Sequence, residues 1–143
     1  MEIKKAFEQF KKELKKETGI FGGFVMNRAQ IAKGTATKLV CNTISYEKEI
    51  EEVVYYDEKV QGYETWTDEE KARRHTRNLE RIAYLNGEIE KYGTKTNFAN
   101  DEVERIVNSK AFQKFSETAG GVKYGTEIKT EFGVDYIYLR FYY

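Results

Sequence analysis

The sequence predicts an α+β fold, a mainly antiparallel sheet packed with helices, from three observations. Apolar residues recur at helical spacing through residues 2–17 and 68–92. They alternate in twos through 122–130 and 136–143, the pattern of half-buried strands. The chain has 143 residues, the size of one domain, and 1–143 is read as a single α+β domain because each half is too short to bury a core of its own.

Residues 2–17 form an amphipathic helix in this reading, with Ile3, Phe7, Phe10 and Leu14 on one stripe and Gly19 as its stop. Phe21-Gly22-Gly23-Phe24 makes a corner between two core rings, and Asn27 to Lys33 makes a short helical turn ending at Gly34. Strands are expected near 37–46 and 50–64. The first rests on the β-branched run Leu39-Val40-Cys41-Asn42-Thr43-Ile44. The second rests on the near-alternation of Ile44, Tyr46, Ile50, Val54 and Tyr56, although Glu47 to Glu52 consists of good helix formers.

Thr67-Asp68-Glu69-Glu70 fits a capping box and opens a helix near 68–92. Its buried stripe is read as Ala72, His75, Leu79, Ile82, Ala83, Asn86 and Ile89, with Gly93 as its end. Asn100 caps a helix near 101–107, and Asn108-Ser109 breaks it and caps another near 110–118. Strands near 122–130 and 136–143 then meet in a hairpin at Gly133.

Lysine plus arginine number 24 and so do aspartate plus glutamate, so the chain is neither a whole-chain DNA mimic nor a bulk polycation. Charge is nevertheless uneven. In 2–17, Lys4, Lys5, Lys11, Lys12, Lys15 and Lys16 are interleaved with Glu2, Glu8, Glu13 and Glu17. On the second long helix Arg73, Arg74, Arg77, Arg81 and Tyr84 share one side, and Arg73, Arg77 and Arg81 are like-charged i,i+4 neighbours, a mildly destabilising arrangement. Arginine forks onto carboxylate or phosphate and stacks on rings, so this face is a candidate docking surface, weighed against a solvated face paired with carboxylates elsewhere. The last strand offers a second candidate. Ile137, Leu139 and Phe141 point to the core; Tyr136, Tyr138, Arg140 and Tyr142 point away, as a stacking platform, as an interface hot spot, or as a face covered by another helix.

The residues argue against catalysis. Cys41 and His75 are the only thiol and imidazole, on separate elements and without a glycine-rich elbow, so no catalytic residue is assigned. No metal site and no cofactor is expected, because zinc needs three or four suitable ligands. Ala32-Lys33-Gly34-Thr35 has its lysine on the wrong side of the glycine for a phosphate loop. Glu127-Ile128-Lys129 lacks the upstream aspartate that a magnesium nuclease places on a neighbouring strand. The lone cysteine fits a reducing compartment, and no apolar run reaches membrane-spanning length, so a cytoplasmic protein without membrane contact is expected.

Proline is absent and lysine, glutamate, tyrosine and asparagine are abundant. With the stretch Asn78-Leu-Glu-Arg-Ile-Ala-Tyr-Leu-Asn-Gly and the ending Asp135-Tyr-Ile-Tyr-Leu-Arg-Phe-Tyr-Tyr, the chain resembles small phage and mobile-element proteins of low-GC bacteria, anti-CRISPR proteins among them. The resemblance is one of style and carries over no functional residue. It implies a non-enzymatic inhibitor acting by direct contact with a host protein or ribonucleoprotein complex in a bacterial cytoplasm. The alternative is a small module that binds RNA or DNA through the arginine helix and the tyrosine strand.

Overall fold

The structure, a computed structural model, describes residues 3–20, 23–25 and 34–143. Among these lie five helices, α1 (Ile3–Thr18), α2 (Tyr46–Gln61), α3 (Asp68–Tyr92), α4 (Lys95–Val107) and α5 (Lys110–Thr118). The strands are β1 (Phe24–Val25), β2 (Thr35–Asn42), β3 (Lys123–Glu131) and β4 (Val134–Tyr142). The fold is α+β, as the sequence predicts. The expected helical turn at 27–33 and the residues Phe21 and Gly22 lie outside the described residues. The chain divides into two compact units: residues 1–43 with 98–143, and residues 44–97.

The first unit is built on an antiparallel sheet in the order β1-β2-β4-β3. Beta-branched and aromatic residues alternate along β4, so Ile137, Leu139 and Phe141 enter the core while Tyr136, Tyr138, Arg140 and Tyr142 line the opposite face. Onto the core side pack α1 with Ala6, Phe7, Phe10 and Leu14, α4 with Val103 and Ile106, and α5 with Ala111, Phe112 and Phe115. Phe141 meets Phe10 and Phe112 of these and also Phe24 of β1, with centroids 5.8, 5.2 and 4.9 Å away. Local chemistry fixes the ends. Ser109 caps α5 by accepting from Phe112 N, and the Glu17 carboxylate also accepts from Lys110 N and Ala111 N at 2.9 and 3.0 Å, placing an anion on a helix N-terminus. Phe132 and Gly133, both at positive φ, form the tight turn between β3 and β4.

The second unit is an antiparallel helical hairpin, and here one prediction fails. Residues expected as a strand near 50–64 form α2 instead. Ser45 caps it by accepting from Lys48 N at 3.2 Å, and Glu47 and Glu49 sit in its first turn, where the helix dipole favours acid. The inner side of this helix is Tyr46, Ile50, Val53 and Val60 at helical spacing, the first and last buried and the other two half-buried, whereas Val54 and Tyr56 of the alternating pattern are exposed. The first expected strand, 37–46, is β2 and stops at Asn42.

Helix α3 occupies the predicted span, and Thr67 accepts from Glu70 N at 3.1 Å as the capping box requires. Its inner face differs from the expected one. Leu85 is buried and Asn78, Ile82 and Ile89 are half-buried, whereas Ala72, His75, Leu79, Ala83 and Asn86 are exposed. The buried side is the one that carries Ile82, Leu85 and Ile89, the larger aliphatic side chains, and Asp57 of α2 meets its edge, accepting from Asn78 Nδ2 at 2.7 Å and lying 2.7 Å from His75 Nδ1. Helix α4 begins at Lys95, ahead of the predicted 101, because Thr94 rather than Asn100 caps it, accepting from Asn97 N at 3.2 Å.

Candidate functional site

The two sequence-predicted surfaces fall in different units. On the hairpin, a wheel at 100° per residue sorts the exposed side chains onto two flanks. One flank carries Arg73, Arg74, Arg77, Arg81 and Tyr84 from α3, with Lys48, Lys59, Tyr56 and Tyr63 from α2 and its following turn, and Glu52 and Glu70 stand among them. The other carries Ala72, Leu79, Ala83 and Glu90 from α3 and Glu47, Val54 and Glu58 from α2, while Glu51, Glu69 and Glu80 point outward between the flanks, Glu80 about 20° from Arg73 on the wheel. Two contacts fix which edges adjoin. Arg81 lies 4.0 Å from Glu49 along the first flank, while His75 meets Asp57 along the second.

The five predicted residues of the arginine flank do not behave alike. Arg81 is engaged, reaching Glu49 and lying 5.3 Å from the Tyr84 ring. The Tyr84 phenol is held above its ordinary range by loss of water and by the Glu88 carboxylate. Arg73, Arg74 and Arg77 are exposed and form no ion pair among the described residues. With Trp66 and Glu70 they line an open hollow, and the indole of Trp66 lies 5.9 Å from the Tyr63 ring. Sequence reading passed over Trp66 and Tyr63. The available signal was the sole tryptophan standing directly before a capping box, at the turn of a hairpin.

The sheet face of the first unit holds the second set. Tyr136, Tyr138 and Arg140 are half-buried and Tyr142 is exposed. The helices of this unit place their core residues on the opposite side, with Phe141. Arg140 is not open to a ligand in the way its sequence position implies. Its guanidinium meets Glu127 at 2.5 Å, and Lys129 stands 3.5 Å from the same carboxylate and 5.3 Å from the Tyr138 ring. Burial, followed by the Glu131 carboxylate, raises the Tyr138 phenol. The face is therefore a charge-paired aromatic surface, and Glu127 and Lys129 serve that pairing.

Cys41 lies half-buried on β2 opposite Ile137, and His75 is exposed on α3 beside Asp57, so the two belong to different units. Asn78 as donor, and then the His75 contact, hold the Asp57 carboxyl below its ordinary range against the opposing effect of burial. Among the described residues no three His, Cys, Asp or Glu side chains are grouped to hold a metal ion, and no helix is long and apolar enough to cross a membrane. Compared with family models, curated proteins and solved structures, the chain matches none.

Proposed function

We propose that the chain is a non-enzymatic binding protein whose arginine flank docks the acidic surface of a protein partner. The observation that carries this reading is the trio Arg73, Arg74 and Arg77, exposed and without ion pairs among the described residues, beside the exposed ring of Trp66. Three like charges stacked along a helix cost stability in the free chain. A carboxylate-bearing partner would offset that cost, and arginine with tryptophan is the composition of interface hot spots. The resemblance to phage-type inhibitors gives the partner's class, a protein or ribonucleoprotein complex of a bacterial host's defence, occluded by direct contact.

The test is capture from bacterial lysate with wild type and with Arg73→Glu/Arg77→Glu. A protein retained by the first and lost with the second supports the reading, since like charges set against an acidic surface cost several kcal/mol. Lys11→Glu, at a lysine already paired with Glu8 at 3.0 Å, serves as the control that leaves capture intact. The rings of Trp66 and Tyr63 beside three arginines also suit stacked bases, so single-stranded RNA and DNA are titrated in parallel. Binding whose log affinity falls steeply with log salt, with a slope flattened by the double reversal, would replace the protein partner with nucleic acid.

A further inference from the structure

Strand β3 forms one edge of the sheet in the first unit, and among the described residues no strand lies beyond it. The hydrogen-bonding phase of that edge follows from its neighbour. Asp135 O accepts from Thr43 N at 2.9 Å and Tyr143 N donates to Gly34 O at 2.8 Å, so the odd-numbered residues along β4 turn their backbone groups toward β2. The even-numbered ones, Tyr136, Tyr138 and Arg140, therefore bond their partners Lys129, Glu127 and Gly125 on β3. The alternate residues Tyr124, Thr126, Ile128 and Thr130 are left to present N–H and C=O groups to the free edge. Their side chains are uncovered as well: Ile128 is 65% exposed and Tyr124 51%, and both threonines are exposed. Sheets ordinarily blunt such an edge with proline, a bulge or brevity. β3 runs for 9 residues in unbroken register with β4 and contains no proline, whereas the opposite edge, β1, has 2 residues.

We propose that two copies of this chain join through β3, antiparallel about a two-fold axis at Ile128, into one continuous sheet. Phase limits where the axis can fall. An axis between two residues would set outward backbone groups against inward ones, so it must pass through a residue. Axes at Thr126, Glu127 or Ile128 keep most of β3 paired, and charge selects among them. An axis at Thr126 sets Lys123 against Lys129 on both sides. An axis at Glu127 pairs Lys123 with Glu131 at the ends but presses Glu127 against its own copy at the centre. The axis at Ile128 sets Glu127 against Lys129 of the second copy on both sides, pairs Thr126 with Thr130, and lays the two exposed isoleucines together. Opposite charges, threonine pairs and β-branched neighbours are the cross-strand partners that stabilise antiparallel strands. Ile128 exchanges both backbone bonds with its copy, and each Thr126–Thr130 pair does the same. Within its own chain Glu127 already meets Arg140 and Lys129, so the second lysine completes a cluster of alternating sign. The contact uses up the long edge of both copies and leaves only β1 outside, so assembly stops at a dimer.

Sedimentation equilibrium of the full chain over a range of concentrations tests the association, and wild type should rise to the dimer mass. Lys129→Glu sets carboxylate against carboxylate across the axis, and Glu127→Lys sets ammonium against ammonium, so each alone should sediment as a monomer. Their equimolar mixture should form dimers, because every cross-strand pair is again of opposite sign. Glu127→Lys also loses the Arg140 contact, so circular dichroism checks its fold, and Ile128→Pro supplies a test that leaves that contact alone. The proline removes an N–H that β4 does not use, and it should stop association in a folded chain. Register is read by oxidation in a Cys41→Ser background. Ile128→Cys should give a disulfide-linked dimer and Thr126→Cys should not, since only a residue on the axis stands within bonding reach of its own copy. Wild type that stays monomeric, charge variants that still associate alone, a mixture that stays monomeric, or a link through Thr126→Cys in place of Ile128→Cys would each overturn the proposal.

Discussion

Truncating two neighbours on β4 separates the core of the first unit from its outer face. Phe141 is fully buried on the inner side of a central strand, and its ring meets those of Phe10, Phe24 and Phe112. Phe141→Ala removes that ring from a site whose walls are themselves rigid aromatic side chains, so collapse around the gap is limited. The expected loss is about 3–5 kcal/mol, a large part of the roughly 5–15 kcal/mol that holds a domain together. Tyr142 is 45% exposed on the other side, and Tyr142→Ala should cost less than about 1 kcal/mol. Urea unfolding followed by circular dichroism measures both. With a slope of about 2 kcal/mol per molar, the Phe141 variant should shift its midpoint down by roughly 2 M while Tyr142→Ala stays near wild type. Equal destabilisation by the two would mean that the tyrosine side is also packed, and the assignment of faces would be lost.

Phe132 occupies a left-handed turn position with its side chain fully exposed, so Phe132→Asn should stabilise the chain by about 0.5–1 kcal/mol, visible as a higher thermal midpoint. Gly34 is at φ 65°, and a Cβ there would stand 2.2 Å from the Tyr143 carbonyl oxygen, next to the bond from Tyr143 N to Gly34 O. Gly34→Ala should therefore cost about 2–4 kcal/mol in the same urea assay, while Gly87→Ala, with open space around it in α3, should be neutral or stabilising. The depressed Asp57 carboxyl contributes stability that is present above its ordinary pKa, about 4, and is lost as pH falls through its lower folded-state value. Wild type should lose hairpin stability below about pH 4 more steeply than Asp57→Asn, measured by urea midpoints at successive pH values.

The parts of the fold legible in the sequence are those where one period stands alone. Along 136–143 every second residue is apolar and no helical stripe competes, so strand, faces and the outward Tyr136, Tyr138, Arg140 and Tyr142 could all be read. Through 46–61 two patterns share Tyr46 and Ile50: the alternation continues to Val54 and Tyr56, the helical stripe to Val53 and Val60, and the helix, capped by Ser45, buries the second set. Helix α3 was legible in extent but not in rotation. It carries two stripes of low charge, Ala72-His75-Leu79-Ala83-Asn86 and Asn78-Ile82-Leu85-Ile89. The second stripe carries three large aliphatic side chains, Ile82, Leu85 and Ile89, against Leu79 alone on the first, and it is the one buried, with Asp57 bonding Asn78 at its edge. The arginines were visible as a row. That Arg73, Arg74 and Arg77 form no ion pair among the described residues while Arg81 and Arg140 are engaged depends on Glu49 and Glu127, which the fold brings from other elements.

The uneven burial of the two units bears on why the candidate surface is where it is. Phe7, Phe10, Leu14, Ile106, Leu139 and Phe141 are essentially inaccessible in the first unit, whereas Tyr46, Val60 and Leu85 are the buried apolar residues of the hairpin. Each deeply buried side chain contributes about 1.5–3 kcal/mol, so the hairpin depends more on its caps, its helix-forming residues and the bonds of Asp57 and Glu49. Elements with few buried contacts lie at the low end of local stability, where binding segments are commonly found. Val54, Leu79, Tyr56, Tyr63 and Trp66 are the side chains whose burial would add what the hairpin lacks. A partner that covers either flank therefore stabilises the hairpin in the act of binding it. The free energy of that burial is available to the complex because the free chain has left it unused.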